Sequence, residues 1–209
     1  MRIETVLKII GLLRQNLGKG FTILELSKLL KIGYRPAYNH ISELEEKNVI
    51  LVKKVGSSKQ CFLNLENAQA RHYLQEVDLV RKGELFSNRK LKIILEEIIP
   101  KITNKITASL HSIVLFGSHA KRAATKSSDI DLLFIVSDIK DKTARERIER
   151  ECASYQHSHN VKIGPLITDI AEFKKMLVSK EMNVGKEAKD YGIALYGSEQ
   201  FWRLISWQE

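Results

Sequence analysis

The sequence predicts an α+β chain built in two parts, and three observations carry that reading. Residues 3–47 place apolar side chains at helical spacing, in segments separated by glycine. Residues 49–65 hold two β-rich segments on either side of a polar, glycine-containing turn. Farther on, helical patterns alternate with short apolar runs of strand length, as when helices pack on a sheet. The expected organisation is a helix-and-hairpin domain over 1–66, a helical connector over 67–90, and an α/β domain with a mixed sheet over 91–209.

Composition narrows the class. The chain has 209 residues, 44% hydrophobic and 28% charged, the balance of an ordinary globular protein. No run approaches the roughly 18 apolar residues of a membrane span, so no membrane partner is expected. The N-terminus mixes charged and apolar residues without a cleavable hydrophobic core, which argues against secretion and for a cytoplasmic protein. Cys61 and Cys152 lie far apart and read as free thiols. The net charge is +9, and residues 1–66 hold 11 Lys and Arg against 6 Asp and Glu, more than half of the excess. Such an excess attracts polyanions without identifying one.

In the first part, Val6, Ile9, Ile10, Leu13 and Leu17 mark a helix over 3–17, ended by Gly18-Lys19-Gly20. Thr22, with Glu25 three residues on, predicts a capping box for a second, short helix that stops at Gly33. A third helix starts at Tyr34-Arg35-Pro36 and runs to about Lys47, with Ile41 and Leu44 inward. Val49–Val55 and Cys61–Leu65 then read as a hairpin around Gly56-Ser57-Ser58-Lys59.

Three helices and a hairpin joined in this way resemble the winged helix-turn-helix domain. The resemblance implies that the third helix enters the major groove of DNA. Its exposed candidates are Arg35, Tyr38, Asn39, His40 and Ser42, of which Arg and Asn suit bidentate base contacts. The hairpin would be the wing, with Lys53, Lys54 and Lys59 near phosphates. Glu43, Glu45 and Glu46 favour the alternative, a domain used for protein contact or dimerisation.

Residues 67–84 are expected to be helical, with Tyr73, Leu74, Val77 and Val80 on one side. A second helix over Asn88–Ile99 follows, interrupted by Pro100. Their aliphatic stripes suit intramolecular core, or alternatively a homodimer interface.

The most definite chemistry lies in 111–136, HSIVLFGSHAKRAATKSSDIDLLFIV. Ser112–Phe116 is an apolar run, expected to be a strand buried on both faces. Gly117 permits a tight backbone turn, Ser118 offers a hydroxyl, and His119–Ala124 is expected to begin a helix. Backbone N–H groups at such a junction suit phosphate. Asp129 and Asp131 are two residues apart, so in a strand they project from one face. Ionised carboxylates in so apolar a strand are costly unless paired or metal-bound, and Mg²⁺ with phosphate oxygens resolves both the burial and the repulsion.

Gly117-Ser118 followed by Asp129-Ile130-Asp131-Leu132 resembles the hG[GS]…DhDh signature of the DNA polymerase β-like nucleotidyltransferases. The likeness is greatest to the minimal members of that superfamily, including those fused to winged helices. It implies that Gly117 and Ser118 bind a triphosphate and that Asp129 and Asp131 are catalytic and hold Mg²⁺ (or Mn²⁺). The implied substrate is an NTP, ATP foremost, whose nucleotidyl group passes to a hydroxyl of a protein, an RNA or a small molecule. Lys121, Arg122 and Lys126 would add positive charge, or else form a solvated face.

The family's third carboxylate usually sits on a later strand. Here that strand, Asn160–Thr168, offers Lys162 and Gly164 instead. Asp169 follows it, with a spacing to Glu172 that suits a helix cap. A DNA-binding regulator that binds nucleotide without efficient turnover is therefore the competing expectation. Thr143 with Glu146 predicts a capping box for a helix over Ala144–Tyr155. Cys152, His157 and His159 form a weak metal candidate, and Trp202 is expected to cap a core.

Overall fold

A computed structural model describes residues 3–125 and 127–206; Lys126 and the side chains of Thr107, Gln156, His157 and His159 lie outside the described set. Two compact units divide the chain, Met1–Val77 and Asp78–Glu209.

In the first unit, α1 (Ile3–Arg14) buries Val6, Ile9, Ile10 and Leu13 of the expected stripe but ends before Leu17, which is buried from the turn that follows. A two-residue strand, β1 (Phe21–Thr22), precedes α2 (Ile23–Leu30). Two residues carry no periodicity, so β1 has no signal in the sequence. Thr22 and Glu25 form the expected capping box. The left-handed residue that ends α2 is Lys31, not Gly33, and Gly33 instead opens α3 (Tyr34–Glu46) without a side-chain cap. The hairpin is β2 (Ile50–Val55) and β3 (Ser58–Leu63). Its turn is tighter than expected: Ser58 and Lys59 already belong to β3, and Lys54 faces Lys59 across the pair. The antiparallel sheet runs β1-β3-β2.

The helix α4 (Ala68–Leu85) buries Tyr73, Leu74 and Val77, whereas Val80, expected beside them, is half exposed. Pro100 does not end the next helix, α5 (Arg89–Ile106). The stripe Ile94, Leu95, Ile98 continues through Ile102 to Ile106, all buried. Burial of those side chains outweighs the roughly 3 kcal/mol that an interior proline costs a helix.

The second unit continues with β4 (Leu110–Phe116), the single turn α6 (Gly117–Ala120) and β5 (Ile130–Val136). Then come α7 (Lys142–His159), β6 (Ile163–Asp169), α8 (Ile170–Val178), α9 (Val184–Tyr191), β7 (Ile193–Tyr196) and α10 (Ser198–Ser206). The sheet order is β6-β5-β4-β7, with β5 and β6 parallel and the other pairs antiparallel, a mixed sheet. Leu91, Ile94, Leu95 and Ile98 of α5, with Ile148, Cys152 and Tyr155 of α7, share a core with Ile130, Leu132 and Phe134. Strand alternation sends Asp131, Leu133 and Ile135 to the other face, covered by α8, α9 and α10. The cap of α7 is Asp141, whose carboxylate accepts from the Ala144 N–H at 3.1 Å; Thr143 does not fill that role. Trp202 is fully buried and donates through Nε1 to Asp78 at 2.8 Å, the core role expected of it.

Candidate functional site

The site is assembled where β4 ends and β5 begins. Antiparallel register sets Phe116 opposite Asp131, so the residue after Phe116 must turn immediately beside that carboxylate. Gly117 does so with φ +67°. A Cβ at this position would lie 2.1 Å from Asp131 Oδ2. Glycine is thus required twice, by the backbone conformation and by the closeness of the acid. Ser118 follows in α6, half-buried. The expected helix to Ala124 ends after one turn, so its dipole is small. What the junction offers an anion is the N–H groups of a first helical turn, which have no partner within the helix.

Asp131 is the second residue of β5, whereas Asp129 stands just before the strand instead of within it. The Ile130 N–H donates to the Lys162 carbonyl at 2.9 Å, which aligns the start of β5 with the start of β6. Lys162 Nζ then donates to Asp129 Oδ2 at 2.7 Å. That bond and the nearby carboxylates hold the Lys162 ammonium above its ordinary range. The Asp131 carboxyl is pushed up, chiefly by burial, then by the charges of Asp129 and Glu187, with His119 and Lys162 opposing. Among the described residues none donates a hydrogen bond to it. A half-buried carboxylate in this state, next to a second one and beside a phosphate-compatible turn, is a donor set suited to Mg²⁺ or Mn²⁺.

No acid of β6 reaches this place. Gly164 stands opposite Asp131, and a Cβ on it would lie 3.4 Å from Asp131 Oδ1. Asp169 is paired in register with Val136, five residues along the ladder, or about 17 Å away at the usual rise per residue. It caps α8 by accepting from the Glu172 N–H at 2.8 Å, while the Glu172 carboxylate pairs with Lys175 and does not reach back. The carboxylate that sequence reasoning missed is Glu187, brought from α9; nothing in its local pattern marks it. Glu187 also binds Lys121 at 2.7 Å, and Lys121 lies 5.5 Å from the centre of the Tyr191 ring. Arg122 is paired with Glu84. The positive charges expected near phosphate are therefore already committed, apart from Lys126, which lies outside the described residues.

Arg81 holds this edge together. Its guanidinium donates to the carbonyls of Ala120, Tyr191 and Gly192, tying α6 to α9 and β7. Behind β5, on the face away from the carboxylates, a cavity of about 350 Å³ is lined by Leu91, Ile94, Ile130 and Val161 with Thr125 and Ser128 at its edge. Among the described residues no three His, Cys, Asp or Glu gather as a metal cluster. Cys152 is buried and its thiol is pushed up to about 12 by burial; His157 and His159, its expected companions, have side chains outside the described set. Cys61 and Cys152 are both free thiols.

In the first unit, Arg35, Tyr38 and Asn39 are exposed on α3, and the rings of Tyr34 and Tyr38 stack at 6.4 Å. Lys53, Lys54 and Lys59 are exposed on the hairpin, with the Lys53 ammonium 5.6 Å from the Phe62 ring centre.

Part of this chain is similar to known proteins. Residues 96–189 match the protein family Polymerase beta, Nucleotidyltransferase. This matched stretch contains Gly117, Ser118, Asp129 and Asp131. Two relatives from Methanocaldococcus jannaschii both bear the name "Putative protein adenylyltransferase". One is 31% identical over 39% of this chain, and the match spans 56% of its own length. The other is 24% identical over 48% of this chain and 93% of its own. A solved structure described as a toxin-antitoxin with AMP-PNP aligns with 53% of this chain and 82% of its own, at 19% identity and a TM-score of 0.36. No described helix is long and apolar enough to cross a membrane.

Proposed function

We propose that the second unit binds an NTP, ATP in the first instance, as its Mg²⁺ or Mn²⁺ complex and transfers the nucleoside monophosphate to an acceptor hydroxyl. The acceptor oxygen forms a bond to the α-phosphorus, the bond from that phosphorus to the bridging oxygen breaks, and pyrophosphate leaves. The acceptor's proton passes to solvent. Gly117 and Ser118 hold the triphosphate, and Asp129 and Asp131 hold the metal. The ion, when bound, neutralises phosphate charge and relieves the repulsion between the two carboxylates. The protein itself fixes positions, which in phosphoryl-type transfer is most of its work. The observation that carries this reading is the contact of Gly117 with Asp131: the phosphate turn and the metal carboxylate are packed on one another. The names of the two relatives favour an adenylyl group and a protein acceptor over RNA or a small molecule. The test is incubation with ATP labelled at the α-phosphate, Mg²⁺ and cell extract. Label should enter a macromolecule, and Asp129→Ala/Asp131→Ala should abolish it; undiminished labelling by that variant would refute the assignment.

The first unit fits a winged helix, with α3 as the reading helix and the β2–β3 hairpin as the wing. Like charges facing across a strand pair are unfavourable, so Lys54 opposite Lys59 suits a polyanion laid over them. A second reading follows: a DNA-binding regulator whose nucleotidyltransferase-like unit binds nucleotide with little turnover. The pairing of Asp129 with Lys162, where the family supplies a further acid, favours it. In that case DNA affinity falls with salt at a log–log slope of about −0.9 per neutralised phosphate. Unchanged binding after Lys53, Lys54 and Lys59 become Ala would remove the wing from the interface.

A further inference from the structure

The ion pair at the mouth of the site points to a property of the metal centre itself, and it rests on the nucleotide-binding reading above. We infer that Lys162 is a positioning residue whose ammonium stands in for a second cation, so that the site takes one divalent ion with its nucleotide and not two.

The argument begins with the donor count. A two-ion centre needs carboxylates enough to bridge both ions and to cap at least one of them. Here Asp131 lies against the Gly117 turn and Asp129 stands two residues before it, and among the described residues no third His, Cys, Asp or Glu joins them as a ligand set. Of those two, Asp129 already gives Oδ2 to Lys162 at 2.7 Å. A second ion on that flank of Asp129 would meet the ammonium, a like charge, at close range. Asp131 has no such occupant and, with the remaining oxygen of Asp129 and phosphate oxygens, suffices for a single hard cation.

The lysine is held in this position by the fold. Its carbonyl accepts from the Ile130 N–H, between the two acids in sequence, at 2.9 Å. The parallel ladder then runs Ile130↔Ile163 and Asp131↔Gly164, leaving Lys162 level with Asp129. Gly164, on the same face as Asp131, has no side chain to place a further ligand there. Glu187, the remaining acid whose charge reaches Asp131, is engaged by Lys121 at 2.7 Å. One fixed positive charge and one exchangeable ion therefore share the work of neutralising the two carboxylates and the triphosphate.

Mn²⁺ titration followed by EPR, with a non-hydrolysable ATP analogue present, tests this directly. Wild type should saturate at one Mn²⁺ per chain. Lys162→Arg should also stay at one. Lys162→Ala should bind Mn²⁺ more tightly without nucleotide, by a factor of about ten, since the competing cation is gone. Lys162→Asp, which adds a carboxylate where the ammonium was, should saturate at two. Lys162 is exposed, so these variants should fold, and a melting curve checks that they do. Two ions in wild type, or unchanged Mn²⁺ affinity in Lys162→Ala, overturns the inference while leaving nucleotide binding intact. Wild type that binds no Mn²⁺–nucleotide overturns the proposed function itself and this inference with it.

Discussion

The two ends of the β5–β6 ladder each carry an aspartate, and they treat it in opposite ways. At the far end Asp169 faces Val136 and is satisfied locally by an N–H of the helix it caps. At the near end Asp131 faces Gly164, sits against Gly117, and is raised above the ordinary carboxylate range by burial and by two other acids. One acid stabilises the fold; the other costs stability and is kept. A charge whose cost is only partly relieved inside the chain marks the place where something from outside is expected to relieve the rest. The same contrast separates two glycines. Gly56 and Gly117 both have φ near +60°, yet a Cβ on Gly56 meets nothing within 4 Å, while one on Gly117 would strike Asp131.

The largest expected effect breaks the contrast at its functional end. Asp131→Asn should reduce nucleotidyl transfer by about 10³-fold or more, read with α-labelled ATP, because the proposed metal ligand is lost. The same variant should melt at a higher temperature than wild type in metal-free buffer at neutral pH. A fall in melting temperature equal to that of a core substitution would mean that Asp131 is structural.

Next in size is Gly117→Ala. It adds left-handed strain of about 1–2 kcal/mol and a side chain that must displace the Asp131 carboxylate. Calorimetric titration of Mg²⁺–ATP should show affinity reduced by about tenfold or more. Gly56→Ala, with the same backbone strain and open space, should leave that affinity unchanged.

The pH dependence sharpens the comparison further. Because the folded Asp131 carboxyl titrates above its unfolded value, the folded state holds that proton more tightly. Its contribution to stability therefore falls as pH rises from the unfolded carboxylate range through the folded pKa. Glu25, Glu43 and Glu151 are shifted the other way by hydrogen bonds to Thr22, Lys47 and Lys105, and stabilise as pH rises. Urea midpoints of wild type and Asp131→Asn, measured from pH 4 to 7 without metal, should diverge with rising pH, the variant becoming the more stable. Parallel curves would show that the acid is not destabilising. The smallest effect belongs to the far end: Asp169→Ala should cost about 1 kcal/mol in urea unfolding, as loss of a helix cap does, with Mg²⁺–ATP affinity unaltered.

Local features of the chain were enough to reveal much of this. The apolar runs around Val114 and Leu133 announced strands, Thr22 with Glu25 announced a cap, and Gly117-Ser118 with Asp129 and Asp131 pointed to the site proposed for a nucleotide. Each depends on residues within a few positions of one another, where spacing and backbone geometry are coupled. Pairings between distant segments had no such signal. Two-residue β1 formed because β3 supplied an edge; α5 ran through Pro100 because the core rewarded Ile102 and Ile106. Asp141 displaced Thr143 as a cap, and α6 stopped after a single turn.

The site shows the same division. The sequence by itself determined which residue types were present: a glycine turn, two acids on alternate positions, and no acid in the strand expected to supply a third. Tertiary structure alone decided what surrounds them. Parallel register brought Lys162 to Asp129 and Gly164 to Asp131, carried Asp169 about 17 Å away, and let α9 place Glu187 within electrostatic reach. The reason is physical: alternation along one strand is a local property, but the charge balance of a site is the sum over every element packed against it.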